Sequence, residues 1–294
     1  MTVDVDCDVV VVGGGVIGLA CAEYLQQQGR GVAVVDRGEI GGACSHGNCG
    51  LICPSHVLPL TEPGAVGAAL RSIFRRNTPL KVRLRWDRGL WRWLWNFSRR
   101  CNHRDMLAGA RALAPLLECS LQLYHHLLNQ HSLQCEWRDA GQLFAFADQR
   151  AWAAYEATDR LLQSEFGIAG ERLNAAELAQ REPALRAGLA GGWYYGHDAH
   201  VRPDRLLSAW RHSLTERGVA FHPHCEVKKL GQQQASQLQS VVTDRGRFSG
   251  RAFVIASGVW TPEFAAQLGM RLPIQPGKGY SLTLPRLEDQ KSVV

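Results

Sequence analysis

Three glycines with the spacing G-x-G-x-x-G follow a run of valines near the start of the chain and restrict how it can fold. The run Val9 to Val12 suits a strand that is buried on both faces, and Gly13, Gly15 and Gly18 come directly after it. In this motif the first glycine allows a tight turn, the second lets a pyrophosphate approach the backbone, and the third lets a helix pack closely on the strand. The sequence therefore predicts a strand, a phosphate-binding turn and a helix, in that order.

The residues after the motif complete a nucleotide-binding unit. The helix is expected to point its N-terminal amides at the phosphates, so Val16 and Ile17 are assigned to cofactor binding. It is expected to run to about Gln28, where Gly29 favours a left-handed cap. The next strand, GVAVVD, ends at Asp36, a carboxylate that can accept a hydrogen bond from a ribose hydroxyl. Strand, glycines, helix, strand and acid in this order predict dinucleotide binding, against the alternative of a glycine-rich structural turn.

A long loop after the second strand distinguishes FAD from NAD. A simple nicotinamide-binding fold would continue with a plain crossover helix, whereas this chain continues over residues 37–64 with a loop rich in glycine and small polar residues. Loops of this length inside a compact domain are usually functional, and the alternative is a plain surface loop. Polar side chains can donate hydrogen bonds to an isoalloxazine edge, and glycines let backbone amides come close. The residues assigned to this contact are Ser45, His46, Gly47, Asn48 and Gly50.

The glycine motif, Asp36 and the segment ACSHGNCGLICPSHVLPLTEPG together resemble the glycine/D-amino acid oxidase family of FAD enzymes, and within it the bacterial D-amino acid dehydrogenases. Three later segments are also similar to family segments: GGWYYGHDAHVRPDRLLSAW, GVAFHPHCEV and FVIASGVWTPEFAAQLGMRLPIQPGKGYSLTL. The resemblance implies FAD as the cofactor. It adds to the cofactor site Arg37, Leu51, Ile52, Val227, Ala256, Ser257, Gly258 and Trp260, with Val227 as the last residue of a strand that meets the adenine side through its backbone.

The element pattern and the resemblance predict an α/β fold, in which a Rossmann-type, three-layer FAD-binding domain carries an inserted α+β substrate domain. Residues 1–80 and 196–270 are expected in the FAD-binding domain. Residues 81–195 and 271–294 are expected in the substrate domain, which would be incomplete, because family members continue for roughly another domain's worth of residues. The resemblance thus leads us to expect a truncated or split product and a partner chain that supplies the missing part.

Periodicity and capping residues predict the other elements. Helices are expected over residues 106–131 and 148–167, and a strand is expected over residues 141–147. Pro203 and Gly218 are placed to begin and end a further helix. Further strands are expected at Ala220 to Val227, on the two sides of a hairpin around DRGR, at Ala252 to Ala256, and over KGYSLTL from residue 278.

The resemblance also implies a reaction, the oxidative deamination of a D-amino acid, including a cyclic, proline-type one. Hydride would pass from Cα to flavin N5, and the electrons would pass to a quinone or another acceptor. Such chemistry needs orientation more than acid–base catalysis, so no catalytic acid–base pair is assigned. Positions in matching segments give four substrate-pocket candidates, for each of which a packing or surface role is an equal alternative: His56, Tyr195, Lys278 and Tyr280.

Two other functions remain open from the sequence. One is an oxygen-using oxidase of the glycine or sarcosine type, which a peroxide assay would distinguish from a dehydrogenase. The other is a non-catalytic fragment, or one subunit of a split flavoenzyme, that binds a partner chain. Neither the substrate nor the electron acceptor is fixed by the residues.

Composition and charge limit the class of protein. A hydrophobic content of 46% and a charged content of 20% are typical of globular proteins. The acidic N-terminus enters a strand at once, which predicts no signal peptide, and no apolar run reaches the length of a membrane span. Nine cysteines show no zinc spacing, and the HDAH and HPHC segments predict no metal site. The expected location is the cytoplasm.

A basic window rich in tryptophan interrupts this ordinary composition. Between Arg71 and Arg104 the chain has eleven Lys or Arg and one acidic residue, Asp87, together with four of its nine tryptophans. A helix over residues 88–101 would have one face of arginines and tryptophans and an opposite apolar face. The first comprises Arg88, Trp91, Arg92, Trp95 and Arg99, and the second comprises Leu90, Trp93, Leu94, Phe97 and Cys101.

The exposed face of this helix suggests peripheral docking on the inner, anionic face of the cell membrane, which would bring reduced flavin near a quinone. Cation–π packing inside the substrate domain is an equal alternative. Nucleic-acid binding is the weaker one, because no recognised nucleic-acid module accompanies the patch, and no nucleic-acid partner is expected.

Overall fold

The computed structural model describes residues 3–67, 69, 86–233 and 237–282. The helices named below are α1 (Val16–Gln27), α2 (Arg88–Arg100), α3 (His103–His131), α4 (Gln149–Phe166), α5 (Ala175–Arg181), α6 (Pro203–Glu216) and α7 (Thr261–Gln267). The strands are β1 (Val3–Val12), β2 (Val32–Val35), β3 (Leu51–Ile52), β4 (Gln142–Phe146), β5 (Glu171–Asn174), β6 (Gly191–Tyr195), β7 (Ala199–His200), β8 (Ala220–His222), β9 (Val227–Gln233), β10 (Gln237–Thr243) and β11 (Gly246–Ile255).

Contacts divide the chain into two compact units. Unit 1 takes its described residues from Met1–Gly50, Leu127–Glu136 and Val201–Ser281, and unit 2 takes its own from Leu51–His126, Trp137–His200 and Leu282–Val294. The boundary expected at residue 80 lies outside the described residues, and residue 195 lies within unit 2. The assignment of an FAD-binding domain and a substrate domain to these segments stays a prediction.

Unit 1 is built on a six-stranded sheet with the order β8-β2-β1-β11-β10-β9. The first four strands are parallel to one another, and β10 runs antiparallel to both of its neighbours. Val9–Val12 pair with β2 on one side and with the second half of β11 on the other, and all four valines are buried. The predicted α/β class and the first strand–helix–strand unit are therefore confirmed.

Apolar clusters cover this sheet on both faces. One face packs against α1 and α6 through residues that include Leu19, Trp210 and Leu214, and the other buries Val241 and Phe248. The ends of both helices follow the predicted capping, because Gly29 has φ +72°, Pro203 is the first residue of α6, and Gly218 has φ +91°.

One predicted strand is wrong in its extent. The segment Ala220 to Val227 forms two strands, because the chain turns after His222 through His224, whose φ is +51°, and then begins β9. Hydrogen bonds hold this turn against the end of β2: the Asp36 N–H donates to the His222 carbonyl (3.1 Å), and the Cys225 N–H donates to the Asp36 carbonyl (2.7 Å). Val227 is therefore the first residue of the antiparallel strand β9 and not the last residue of a strand that begins at Ala220.

The strand expected at Ala252 to Ala256 and the strand expected over KGYSLTL also differ from the structure. The strand expected at Ala252 to Ala256 is longer, Gly246–Ile255, because its first half pairs with β10 while the whole strand lies along β1. In the KGYSLTL segment, residues 278–282 have no strand structure, and the remaining two residues lie outside those described. The hairpin around DRGR is confirmed as the connection between β10 and β11.

Unit 2 contains a three-stranded antiparallel sheet, β4-β6-β5, and the short pair β3-β7. Its core is aromatic: the Phe144 ring lies 5.7 Å from both the Tyr155 and Tyr195 rings, and Trp193 lies 5.7 Å from Tyr155. Ala110 of α3 and Leu162 of α4 are buried in the same cluster. The predicted helices at 106–131 and 148–167 and the strand at 141–147 are thus confirmed.

Helix α2 has the two faces that the sequence predicts. Its arginine and tryptophan face is exposed along its whole length, whereas Leu90 is buried and Trp93, Leu94, Phe97 and Cys101 are partly buried. Asp87 caps the helix, since its carboxylate accepts from the N–H groups of the next turn. Across the described part of the chain, no helix combines the length and the apolar character that a transmembrane span requires.

A buried carboxylate joins α1, α3 and α6. Glu23 is 1% exposed, and it accepts hydrogen bonds from both Arg217 guanidinium nitrogens (2.8 and 2.5 Å) and from the Trp210 indole (2.9 Å). The His131 Nε2 lies 2.9 Å from the same carboxylate. Burial by itself raises the pKa of Glu23, but the hydrogen bonds and the neighbouring positive charges outweigh it and lower the pKa to about 2.

Replacement of Glu23 by glutamine should destabilise unit 1, because it leaves Arg217 and His131 without their counter-ion. We expect the free energy of unfolding at pH 7 to fall by about 3 kcal/mol, as measured by urea unfolding. Since folding lowers the pKa of Glu23, its contribution is present above its ordinary pKa of 4.5 and disappears as the pH falls through about 2. The difference between wild type and Glu23→Gln should therefore shrink as the pH is lowered.

The matched control is Glu216→Gln, because Glu216 is 66% exposed and pairs with His212 on the surface of α6. We expect a change below about 0.5 kcal/mol for this variant. Equal losses in the two variants would contradict the role given to the Glu23 network.

Candidate dinucleotide site

Two glycines of the motif lie where the backbone leaves no room for a side chain. Gly13 has φ +110°, and a Cβ on it would lie 2.5 Å from the Ala256 carbonyl oxygen. A Cβ on Gly18 would lie 1.9 Å from the Gly13 carbonyl oxygen. Because both obstacles are backbone atoms, a methyl group could be accommodated only by moving α1 or the turn. The tight turn and the close helix packing predicted from the motif are both present.

Gly15 is needed for space and not for conformation. It is the N-cap of α1, with φ −76° and ψ −176°, an extended conformation that any residue adopts. A Cβ on Gly15 would lie 3.1 Å from the Ser45 hydroxyl oxygen, which itself accepts a hydrogen bond from the Val16 N–H (3.0 Å). The first turn of α1 contains no acidic residue, and Ile17 directs an exposed side chain outward. The positive end of the helix can therefore receive a phosphate.

Ser45 lies at the N-terminus of α1, where its hydroxyl accepts the hydrogen bond from Val16. Its expected contact with the edge of an isoalloxazine ring stays a prediction. The residue is 29 positions from Val16 in the chain, so no local pattern indicates this contact.

Asp36 is held at the end of β2 by both of its carboxylate oxygens. Oδ2 accepts from the Gly14 N–H (2.7 Å), and Oδ1 accepts from the Gly38 N–H (2.8 Å). Each carboxylate oxygen has a second lone pair, which leaves acceptor capacity for a ribose hydroxyl. Gly14 is not part of the G-x-G-x-x-G motif, although a Cβ there would lie 2.6 Å from Ile40 Cδ1. The three consecutive glycines are the signal for it in the sequence.

The residues after β11 lie beside the glycine turn. The Ala256 N–H donates to the carbonyl of Val12 (2.8 Å), the Ser257 and Thr261 hydroxyls lie 3.2 Å apart, and Gly258 has φ +57°. The structure therefore brings the segment from Ala256 to Gly258 to the end of β1, as the resemblance implies.

Arg37 and Trp260 form a stacked pair next to this segment. The Arg37 guanidinium carbon lies 3.8 Å from the centroid of the Trp260 ring, a cation–π contact. The two residues come from separate predicted cofactor segments, so the fold joins the end of β2 to the segment after β11.

The rest of the long loop is shaped by its own backbone. The N–H groups of His46 and Gly47 donate to the Ala43 carbonyl (3.1 and 3.3 Å), and the Asn48 side-chain oxygen accepts from the Gly50 N–H (2.9 Å). Gly50 has φ +74°, and a Cβ there would lie 2.0 Å from the Val201 carbonyl oxygen. Leu51 and Ile52 form β3 in unit 2, where they pair with β7.

The four pocket candidates have unlike surroundings. His56 is exposed, with its ring 5.3 Å from Phe144. Tyr280 is 88% exposed, and the Lys278 ammonium lies 5.1 Å from its ring centroid. Tyr195 is 2% exposed and donates from its hydroxyl to Asp159 (3.1 Å). Burial, aided by the neighbouring Tyr155 and Asp159, raises the pKa of Tyr195, so this hydroxyl stays protonated in the interior of unit 2.

Ser55 and Asp198 form a buried pair beside His56 that the sequence does not predict. Asp198 is 1% exposed, and its carboxylate accepts from both the N–H (3.0 Å) and the hydroxyl (2.5 Å) of Ser55. The pair anchors the turn that carries His56 to the connection between β6 and β7. Asp198 belongs to the HDAH segment, whose sequence suggests only a metal site as an alternative role.

One histidine in each of the HDAH and HPHC segments lies next to a carboxylate on the surface of the protein. His197 lies 2.9 Å from Glu118, and His224 lies 2.7 Å from Glu39. Within residues 3–67, 69, 86–233 and 237–282, no group of three or more His, Cys, Asp or Glu side chains is arranged to hold a metal ion.

The chain is similar in sequence to one protein family and to individual named proteins. A family model described as FAD dependent oxidoreductase matches residues 8–293. The D-amino acid dehydrogenase of Vibrio vulnificus (strain YJ016) is 32% identical over 290 residues, which cover 97% of this chain and 69% of that protein. The D-amino acid dehydrogenase of Chromohalobacter salexigens is 32% identical over 289 residues, which cover 96% of this chain and 68% of that protein.

A solved structure supports the fold. The crystal structure of glycine oxidase from Geobacillus kaustophilus superposes with a TM-score of 0.65 at 21% sequence identity. The match covers 90% of this chain and 58% of that chain, so the present chain spans somewhat more than half of the solved structure. It confirms the predicted α/β fold.

Replacement of Gly15 by valine should remove the cofactor and leave the fold intact. The extended backbone at this position suits valine, whereas the added side chain fills the space in front of the α1 N-terminus and crowds the Ser45 hydroxyl. We expect flavin absorbance per protein to fall at least tenfold, while the thermal midpoint measured without added cofactor stays close to that of wild type.

Gly67→Ala is the matched control, because no heavy atom of the described residues lies within 4 Å of a Cβ placed on Gly67. This variant should retain the flavin content of wild type. Full flavin content in Gly15→Val would show that the cofactor does not use the N-terminus of α1.

Proposed function

Because the chain belongs to the FAD dependent oxidoreductase family, we propose that it oxidises a D-amino acid at Cα to the corresponding imino acid. The observation that carries this proposal is the 32% identity to D-amino acid dehydrogenases over nearly the whole chain. The imino acid formed from a primary amine would hydrolyse in water, and a cyclic substrate of the proline type would give a cyclic imine. The choice between these substrates is part of the proposal.

The site in unit 1 fits FAD, which is the cofactor of the family. The bare N-terminus of α1 at Gly15 would hold the pyrophosphate, and Asp36 retains acceptor capacity for a ribose hydroxyl. Arg37, which follows Asp36 in the chain, stacks on Trp260, and the two side chains offer a flat cationic surface. When bound, FAD supplies a two-electron acceptor for the hydride that leaves the substrate Cα.

The protein itself needs to orient the substrate and to accept its charges. Lys278 of unit 1 is an exposed nitrogen donor that suits an amino acid carboxylate, and Tyr280 offers an exposed hydroxyl. His56 is an exposed nitrogen donor of unit 2. Tyr195 is left with a packing role in this proposal, because its hydroxyl is already bound to Asp159. No side chain is required to remove a proton from carbon, so the amine has only to lose its proton before it reacts.

The electron acceptor is proposed to be a quinone or another acceptor other than oxygen, by analogy with the names of the dehydrogenase relatives. An oxygen-using oxidase of the glycine or sarcosine type is the second candidate, and the fold shared with glycine oxidase favours it. The two differ in one product, because only the oxidase releases peroxide.

The proposal predicts stereospecific, dye-coupled turnover. The protein loaded with FAD should reduce a quinone analogue or a redox dye with D-amino acids, D-proline included, and should show at most one hundredth of that rate with the L-enantiomers. Peroxide should not accumulate in air. The measurement combines dye reduction, keto acid or cyclic imine formation, and a peroxide assay, with Gly15→Val as the inactive control.

Three results would count against the proposal. Peroxide formed in proportion to product would favour the oxidase. Preference for L-amino acids would overturn the stereochemistry. A protein that retains FAD but reduces no acceptor with any amino acid would favour the non-catalytic alternative.

A further inference from the structure

We infer that the outer face of α3 is a surface through which two copies of this chain pair, with their α3 helices antiparallel. We call this surface the α3 stripe. It consists of Ala112, Leu116, Cys119, Leu123 and His126, all of which are exposed. The stripe lies within unit 2, and the inference does not depend on the reaction that the protein catalyses.

The α3 stripe lies opposite the face by which the helix is buried. The buried face includes Leu107, Ala110 and Leu121. At 3.6 residues per turn, the residues of the stripe lie on the other side of the helix axis from these three. They follow one another at intervals of four, three, four and three residues, so they form a continuous line along the helix.

The α3 stripe is apolar at a place where a helix normally presents charged side chains to solvent. Leu116 is 67% exposed and Leu123 is 42% exposed. Every residue of α3 that is exposed between these two and Ala112 is uncharged, and Glu118 at the border of the stripe lies 2.9 Å from His197. A contiguous exposed apolar surface of this kind is typical of a protein interface.

The absence of charge favours a second copy of the chain as the partner. When the α3 stripe meets itself, no like charges are brought together, so the contact carries no electrostatic penalty. An acidic or a basic partner, by contrast, would find no opposite charge on the stripe. The apolar stripe is therefore complementary to another stripe of the same kind.

The spacing of the two large leucines fits an antiparallel pair of helices. Leu116 and Leu123 lie at equal distances along the chain from a point between Cys119 and Ser120. A twofold axis through that point would place Leu116 of one copy against Leu123 of the other and would bring the two Cys119 side chains close together. Because each copy contributes the same residues, the contact closes at the dimer.

The length of the α3 stripe sets the strength of the pairing. From Ala112 to His126 the stripe is about 21 Å long, and two helices in contact over this length bury roughly 900 Å² in total. This area is below the value of about 1,200 Å² at which stable interfaces begin. We therefore expect a reversible dimer with a dissociation constant in the micromolar range.

Sedimentation velocity of the full chain at increasing concentration tests the inference. The mass should rise from that of a monomer towards that of a dimer. The variant Leu116→Glu, Leu123→Glu should dimerise at least tenfold more weakly, because two carboxylates would meet across the interface. The variant Leu116→Glu, Leu123→Lys should dimerise again, because an antiparallel pair brings the carboxylate of one copy to the ammonium of the other.

Two controls separate the α3 stripe from other exposed groups. Leu60→Glu, Leu272→Glu makes the same chemical change at leucines that are 82% and 38% exposed outside α3, and it should dimerise as wild type does. A short bis-maleimide reagent should link two wild-type copies through Cys119. The linked product should disappear in Cys119→Ser and remain in Cys44→Ser, which removes a different exposed thiol.

Four results would overturn the inference. The first is a monomeric mass for wild type at every concentration, and the second is equal dimerisation of wild type and Leu116→Glu, Leu123→Glu. The third is equal loss of the dimer in Leu60→Glu, Leu272→Glu, because the contact would then not be specific to α3. The fourth is a monomeric Leu116→Glu, Leu123→Lys variant with the thermal midpoint of wild type, because the antiparallel arrangement would then be wrong.

Discussion

The close approach of α1 to the turn after β1 is the constraint on which the dinucleotide site depends. At Gly18 the helix comes so near to the Gly13 carbonyl that even a methyl group does not fit. Because this contact joins two backbones, it fixes the position of the helix N-terminus against the sheet. Backbone N–H groups cannot change direction through a rotamer, so a phosphate site built from them needs this kind of rigidity.

Two carboxylates, those of Asp36 and Glu23, connect other elements of unit 1 to the glycine turn and to α1. Asp36 binds the Gly14 N–H with its side chain and the β8–β9 turn with its backbone, so one residue links the glycine turn, the end of β2 and the start of the outer hairpin. Glu23 lies on the buried side of α1 and links this helix to α3 and α6. In both cases several elements supply the donors, which satisfies a group that would otherwise be costly to bury.

The proposed reaction and the exposed face of α2 use side chains in different ways. Oxidation by a flavin needs the cofactor and the substrate to be oriented, and glycines, backbone amides and one acid provide most of what unit 1 offers. Helix α2 of unit 2 presents a different kind of surface, with exposed arginine and tryptophan side chains along one face.

The sequence by itself determined the elements whose signals are local: the valine strand, the glycine turn, the caps of α1 and α6, and the two faces of α2. Each of these follows from backbone sterics or side-chain periodicity within a few residues. Tertiary structure alone decided the turn at His224, the place of Ser45 at the α1 N-terminus, the Ser55–Asp198 pair and the burial of Tyr195. These depend on which donor meets which acceptor across long stretches of chain, and neither spacing nor composition encodes that choice.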